Sequence, residues 1–275
     1  MAHRISVLLL TTTLAGCAAA IPAGAQSLSD RYWFNAGAFF PDVDTSVQVS
    51  STQNNTIGTK IDLENDLKLD DKETLPSISA GARISNHFSV NAEYYSLHRK
   101  GATSLSRDIV FDDVTYPTGV EVGSSFDSDV YRLTVDWSFI RRENMEFGAA
   151  IGLHATQFEV TLSGDGHIGQ AALTTEARRR DALAPLPTVG LYGAYAPTSR
   201  WTFTGRVDYL SLTIDDYDGR LINAQATASY RLWENISVGA AYRYVDYDVK
   251  ADKKKWTGEL AYTFSGPVIF IQAGF

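Results

Sequence analysis

The stretch Ile222-Asn223-Ala224-Gln225-Ala226-Thr227-Ala228-Ser229-Tyr230-Arg231-Leu232 alternates without a fault. Ile222, Ala224, Ala226, Ala228, Tyr230 and Leu232 make one face, and Asn223, Gln225, Thr227, Ser229 and Arg231 make the other. Side chains of a β-strand point to opposite faces with period two, so this strand is apolar on one side and polar on the other. A transmembrane β-strand needs roughly 9–11 residues of such a pattern. A soluble half-buried strand also alternates. Recurrence of the pattern, the joints between strands and the ends of the chain decide between the two.

Four tight connections look alike: Ser85-Asn86-His87, Arg141 to Asn144, Pro197 to Arg200, and Trp233-Glu234-Asn235. Each separates two alternating runs and is followed by an aromatic or apolar residue, namely Phe88, Met145, Trp201 or Ile236. They read as short periplasmic turns. The other connections, about 51–74, 113–118, 164–182, 215–219 and 251–255, are more polar and mostly longer. This alternation of joints predicts ten strands, over 31–48, 75–85, 88–112, 119–140, 145–163, 184–196, 201–214, 220–233, 236–250 and 256–275, with eight or twelve as alternatives. In the last strand the apolar positions switch from Tyr262 and Phe264 to Ile269 and Ile271 across Gly266-Pro267, which implies a bulge. Segment 57–63 is a candidate to extend the first hairpin by pairing with residues 43–50.

Residues 1–25 read as a secretory signal. Arg4 supplies the positive region, Ile5 to Leu14 a short apolar run, and Ala23-Gly24-Ala25 the small residues before cleavage at Gln26. Leu14-Ala15-Gly16-Cys17 offers an alternative, because it resembles a bacterial lipobox in which Cys17 becomes lipidated. Cys17 is the only cysteine, so cleavage after Ala25 excludes disulfides and thiol catalysis in the mature chain. At the other end, Phe275 closes the alternating run Ile269, Ile271, Ala273, Phe275. In these features the chain resembles bacterial outer-membrane β-barrel proteins, which typically end in such a strand with a terminal aromatic. The resemblance is specific for the class rather than for any one family within it. It implies an all-β fold with residues 26–275 as a single closed antiparallel transmembrane β-barrel. It also implies an outer-membrane location and a role for Phe275 as the signal read by the barrel-insertion machinery.

Composition agrees with that class. The formal net charge is −8, and loss of Arg4 with the signal takes it to −9, which argues against nucleic-acid binding. Mean hydropathy is −0.14. No run of about 18 apolar residues follows the signal, so no transmembrane helix is expected. A barrel escapes hydropathy plots because half of each strand faces a polar interior.

The lipid-facing set should include Phe34, Ala36, Ala38, Val90, Ala92, Tyr131, Leu133, Val135, Phe147, Ala149, Ile151 and Val207. Tyr32, Trp33, Trp137, Phe139, Trp201, Phe203, Tyr230 and Trp233 collect near the periplasmic side, and Tyr94, Tyr209, Tyr242, Tyr244 and Tyr262 are candidates for an outer girdle. The opposite faces carry Arg83, Glu93, Arg132, Asp136, Glu146, His154, Arg206, Asp208, Arg231, Arg243 and Glu259. Charges in a narrow lumen must be paired or hydrated. A salt-bridge network that fills the barrel is therefore expected, and a polar path for a small solute is the alternative. Arg178, Arg179 and Arg180, with Lys253, Lys254 and Lys255, are placed to meet lipopolysaccharide phosphates. Outer-membrane lipid and lipopolysaccharide are thus the expected partners, and no oligomeric state is legible.

Other motifs carry less. Gly164-Asp165-Gly166-His167-Ile168-Gly169 matches GxGxxG, but a dinucleotide site needs a βαβ unit, and no parallel sheet is expected here. Asp62, Glu64, Asp66, Asp70 and Asp71 read as a solvated acidic loop; Leu67 stands where a calcium loop counted from Asp62 needs glycine. No cofactor or metal is expected. His98, His154 and His167, with Ser104, Ser106, Ser163 and Asp165, are the groups available to a barrel enzyme, but they match no known barrel-enzyme motif. The expected function is a non-enzymatic outer-membrane barrel with a structural or surface-interaction role or limited small-solute passage. The alternative is a lipid- or lipopolysaccharide-modifying barrel enzyme.

Overall fold

Long alternating runs dominate the chain, and strands dominate the computed structural model, which describes residues 26–275 apart from 169, 170 and 215. After a short helix α1 (Gln26–Ser29), the elements in order are β1 (Tyr32–Phe39), β2 (Asp42–Ser51), β3 (Ile61–Asp62), β4 (Leu75–Arg83), β5 (Phe88–Ser104), β6 (Ile109–Phe111), β7 (Val114–Tyr116) and β8 (Glu121–Arg141). There follow β9 (Met145–Ile168), β10 (Ala171–Tyr195), β11 (Trp201–Ile214), β12 (Tyr217–Arg231), β13 (Ile236–Asp252) and β14 (Trp256–Gly274). The hydrogen-bonded order β1-β4-β5-β8-β9-β10-β11-β12-β13-β14 returns to β1, so ten antiparallel strands close a ring. β1 and β2 are one strand interrupted at Phe40-Pro41. They share a single register on β14, with Trp33 opposite Gly274 and Ser51 opposite Trp256. Closure removes the free edges that an open sheet would expose. The segment 1–25, with Arg4 and Cys17, lies outside the described residues.

The tight turns fall where the sequence places them, after β4, β8, β10 and β12. The opposite rim differs from expectation. Residues 164–168 and 171–182 form no loop: β9 and β10 pair along almost their whole length, from Tyr195 opposite Met145 to Ala171 opposite Ile168. Polar composition there marks strands that have left the lipid, not an irregular connection. Only two connections on this rim are long. One contains β3, which pairs with β2 through Ser46–Asp62 and Val47–Ile61 as expected. The other contains the β6–β7 hairpin.

Long strands reverse polarity partway up while the same parity goes on pointing inward, as β5 and β13 show. On β5 the inward series passes from Asn91 and Glu93 to Tyr95 and Leu97, while the outward series passes from Val90 and Ala92 to Ser96, His98 and Lys100. On β13 the outward Tyr242 and Tyr244 give way to Asp246, Asp248 and Lys250, and the inward Arg243 to Val245, Tyr247 and Val249. Below the reversal the wall is a membrane barrel with a polar interior. Above it the wall is a water-facing sheet around an apolar interior.

This reversal corrects three expectations. No bulge marks Gly266-Pro267: β13 and β14 keep one register from Ile236–Ala273 to Asp252–Thr257. Tyr262 and Phe264 face the apolar interior while Ile269 and Ile271 face lipid, so the environment switches and the strand does not. Tyr262, 2 % exposed, is therefore core and not outer girdle. Trp33 likewise points inward, where its indole N–H donates to Asn91 Oδ1 at 3.1 Å.

The upper interior is filled from the two long connections. Ile61, Leu63, Leu67 and Leu69 from the first, and Ile109, Phe111, Val114 and Tyr116 from the second, are buried in one cluster with Val47, Phe126, Phe158, Leu162, Val245, Tyr247, Tyr262 and Phe264 of the wall. Together they make an apolar plug. Burial of each such side chain contributes roughly 1.5–3 kcal/mol.

Candidate functional site

The lower lumen is a polar chamber beneath that plug, with a cavity of about 330 Å³. Period two aims alternate residues of every wall strand into it, and ten of the eleven expected charge-bearing positions face the lumen. Arg132 donates to Glu93 at 3.1 Å and also bonds Asp208. Arg206 joins Asp208 and Asp136, each at 3.0 Å. Arg243 bonds Glu93 and donates to Gln225 Oε1 at 2.8 Å. Asp136 also accepts from Asn91 at 2.8 Å. The result is a continuous belt, Gln225–Arg243–Glu93–Arg132–Asp208–Arg206–Asp136–Asn91, that spans the lumen and joins strands far apart in sequence. Neighbouring opposite charges offset the cost of removing each from water.

Two further ion pairs sit nearer the short turns. Arg83 meets Glu146 at 3.0 Å, and Glu146 accepts from the hydroxyl of Tyr192 at 3.1 Å. Arg231 meets Asp30 at 3.3 Å. Asp30 follows α1, whose Leu28 packs on Ala194 and Ala196 and lines the chamber, so the N-terminal segment covers part of this mouth. Burial outweighs the attraction of Arg231 there and raises the Asp30 carboxyl above its ordinary pKa.

Glu259 does not belong to the belt. It lies on the outward parity of β14, pairs with Lys250 at 3.5 Å and is far more exposed than the lumen acids. The reason is the inferred bulge, which would have turned its face. His154 does point inward, 1 % exposed, at the boundary between belt and plug. Its ring lies 5.9 Å from that of Tyr247, and neither ring nitrogen has a hydrogen-bond partner among the described residues.

Two groups that the sequence reading passed over, Arg99 and Arg107, hold the plug together with Arg180, which that reading places against lipopolysaccharide. Arg99, on β5, is 1 % exposed and bonds Glu64 while donating to the Thr45 hydroxyl at 2.7 Å. Arg107 reaches Asp66 at 2.6 Å, and Arg180 of β10 bonds Asp112 in the β6–β7 turn. Period two already put Arg99 on the face of Glu93; what was missing was the partner, supplied by a segment without periodicity. Burial opposes ionisation of Asp66, but hydrogen bonds from Arg107 and the Asp62 backbone, with the charges of Arg107 and Lys68, hold its pKa below the ordinary value. Asp112 moves the other way, because burial outweighs Arg180.

Of the acidic segment, Glu64 and Asp66 are thus paired with arginines and Asp62 accepts from Asn65, and no group of three acidic, histidine or cysteine residues among those described could hold a metal. Of the basic runs, Arg178 meets Asp113 at 2.9 Å, Arg179 bonds Glu159 and Lys253 meets Asp216 at 3.1 Å, whereas Lys254 and Lys255 are exposed. Of the candidate enzyme groups, His98 faces outward against Asp127 at 2.8 Å, and the Ser163 hydroxyl donates to the Gly123 carbonyl at 3.3 Å. Gly164 and Gly166 lie within β9, which disposes of the phosphate-loop reading.

The ring of antiparallel strands, apolar outside and charged inside, is the architecture of bacterial outer-membrane β-barrel proteins. One known structure agrees in fold, and two others are similar over less of their geometry. The outer-membrane protease OmpT of Escherichia coli matches with a TM-score of 0.56 at 12 % identity, over 88 % of this chain and 97 % of that one. Neisserial surface protein A matches with a TM-score of 0.32 at 13 % identity, over 89 % of this chain and 97 % of that one. Ail of Yersinia pestis matches with a TM-score of 0.30 at 9 % identity, over 87 % of this chain and 98 % of that one. At that identity the likeness to OmpT is one of fold alone. No protein-family model and no curated relative matches the chain in sequence.

Proposed function

We propose that the protein is a sealed outer-membrane barrel with a structural or surface-interaction role, and that it is neither an open pore nor an enzyme. The observation that carries this reading is the stacking of two different seals in one lumen. The charge belt crosses the chamber at the level of Glu93 and Arg132, and the apolar plug fills the interior above it. A solute that passed the first would have to displace the second. The surface role falls to the extracellular part of the barrel, whose outward face is polar and mixed in charge. Lys254 and Lys255, with Arg179, are the basic groups offered to lipopolysaccharide phosphates, while Arg178 and Arg180 serve the plug. A non-enzymatic role suits the histidines: His98 is held by a carboxylate on the outer face, and His154 is enclosed.

The test is conductance of the purified protein in planar bilayers. Closed traces with rare, brief openings are expected. A large, stable conductance would replace this reading with small-solute passage.

A further inference from the structure

The wall of the barrel is unzipped between the upper parts of β10 and β11. The ladder between β10 and β11 runs from Tyr195–Phe203 to Val189–Tyr209 and stops. Beyond it, residues 184–188 of β10 pair only with β9, and residues 210–214 of β11 pair only with β12. Pro185 and Pro187 account for the gap. Two apart on one strand, they lack N–H groups on the same edge. Both remain in the β9 ladder, opposite Ala155 and Leu153, so the edge without donors is the one facing β11.

The seam opens where the interior has become apolar. Leu186, Leu210 and Leu221 are buried just inside it, and Leu183, Val189 and Tyr209 are exposed on the outer face beside it. Below it, a groove of about 620 Å³ continues down the lipid-facing surface. Gly205 forms its floor, and the Phe147 ring, which lies over Gly193 on the neighbouring strand, forms one wall. A Cβ placed on Gly205 would meet nothing within 4 Å, so the space above it is open. On the extracellular side, Arg220 stands opposite Ser211 with its side chain 54 % exposed and a single carboxylate, Asp246, at 3.2 Å.

We propose that this seam and groove bind an anionic acylated lipid of the outer leaflet, lipid A in the test below. An acyl chain lies over Gly205, beside the Phe147 ring, and reaches the unzipped edge, while a headgroup phosphate meets Arg220. The occupant follows from position and charge. The groove faces the hydrocarbon of the bilayer, it points toward the apolar stretch of wall that lacks a ladder, and the guanidinium beyond its upper end matches a phosphate. The site does not depend on whether the lumen conducts.

The experiment reconstitutes the mature protein into phosphatidylcholine vesicles containing lipid A, extracts it into mild detergent and measures retained lipid by mass spectrometry. The unaltered protein should retain lipid A in preference to phosphatidylcholine. Gly205→Leu, which fills the open groove from the lipid side, should lower retention about tenfold, as should Arg220→Gln. Ala92→Leu, on the outward face of β5, should leave it unchanged. Heat-modifiable mobility reports folding, and Ala226→Leu fills the same groove should Gly205→Leu not fold. Equal retention of phosphatidylcholine, no retention by the unaltered protein, or equal retention by the groove-filling and Ala92 variants would each overturn the proposal.

Discussion

Arg99 reaches from the wall strand β5 into the plug and bonds Glu64 inside an otherwise apolar layer. Its guanidinium also lies 5.2 Å from the ring of Phe126, so one side chain ties two wall strands to the segment that fills the barrel. Removing one partner of a buried pair leaves an uncompensated charge, whereas replacing both with apolar groups need cost little. Glu64→Gln should therefore destabilise by about 3–5 kcal/mol, and Arg99→Met combined with Glu64→Leu by much less. Reversible urea unfolding in vesicles measures both. Equal losses would show that the pair contributes more than its packing volume.

The two seals should be separable. Arg132→Ala with Arg206→Ala strands Asp208 and leaves Asp136 with Asn91 alone, which should loosen the lower barrel. The plug above remains, so this variant should still conduct little. Shortening the 52–74 connection alone should also conduct little, because the belt remains. Only the combination should give a stable conductance in planar bilayers. An open pore from either change alone would show that one seal closes the lumen unaided.

The faces of β11 and β12 set a second contrast. Ala226 points to lipid, while Thr204 points into the polar chamber. Arginine near the midplane of the lipid face costs roughly 2–4 kcal/mol, so Ala226→Arg should impair folding into vesicles and Thr204→Arg should be mild. Gln225 is unsuited as the inward control, since it accepts from Arg243. Similar costs at both positions would contradict the assigned faces.

Orientation follows from the same asymmetry of joints. Single cysteines at Lys68 and Lys254 should label on intact cells with an impermeant thiol reagent, and those at Asn144 and Asn235 only after the outer membrane is breached. The reverse pattern would invert the barrel.

The ring and its strand number were legible because period two is local: a residue's face depends only on its parity along the strand. The inward charges were legible for the same reason, as Arg132, Asp136, Arg206 and Asp208 illustrate. What parity does not encode is height. Tyr262 and Ile269 are both apolar and on opposite faces, and without knowing where the lipid ends a kink is the simplest explanation. Glu259 was misplaced by that step. The plug was hidden for a different reason. Leu63, Leu67 and Leu69 are spaced irregularly within an acidic segment, and their burial depends on Arg99 and Arg107 neutralising the acids around them.

Acid should release the plug in a fixed order. Asp112 has its pKa raised by burial, so as pH falls it takes up its proton early and lets go of Arg180. Asp66 has its folded pKa held below 3.8 by Arg107. Its contribution to stability is present above the unfolded value and is lost only as pH falls through the lower, folded one. The β6–β7 hairpin should therefore lose protection before residues 60–66 do. Hydrogen–deuterium exchange along a descending pH series, corrected for intrinsic rates, reads the two segments separately. Asp112→Asn should abolish the early step, and Asp66→Asn should expose residues 60–66 already at neutral pH. Simultaneous opening, or opening in the reverse order, would show that these two pairs do not set the acid response of the plug.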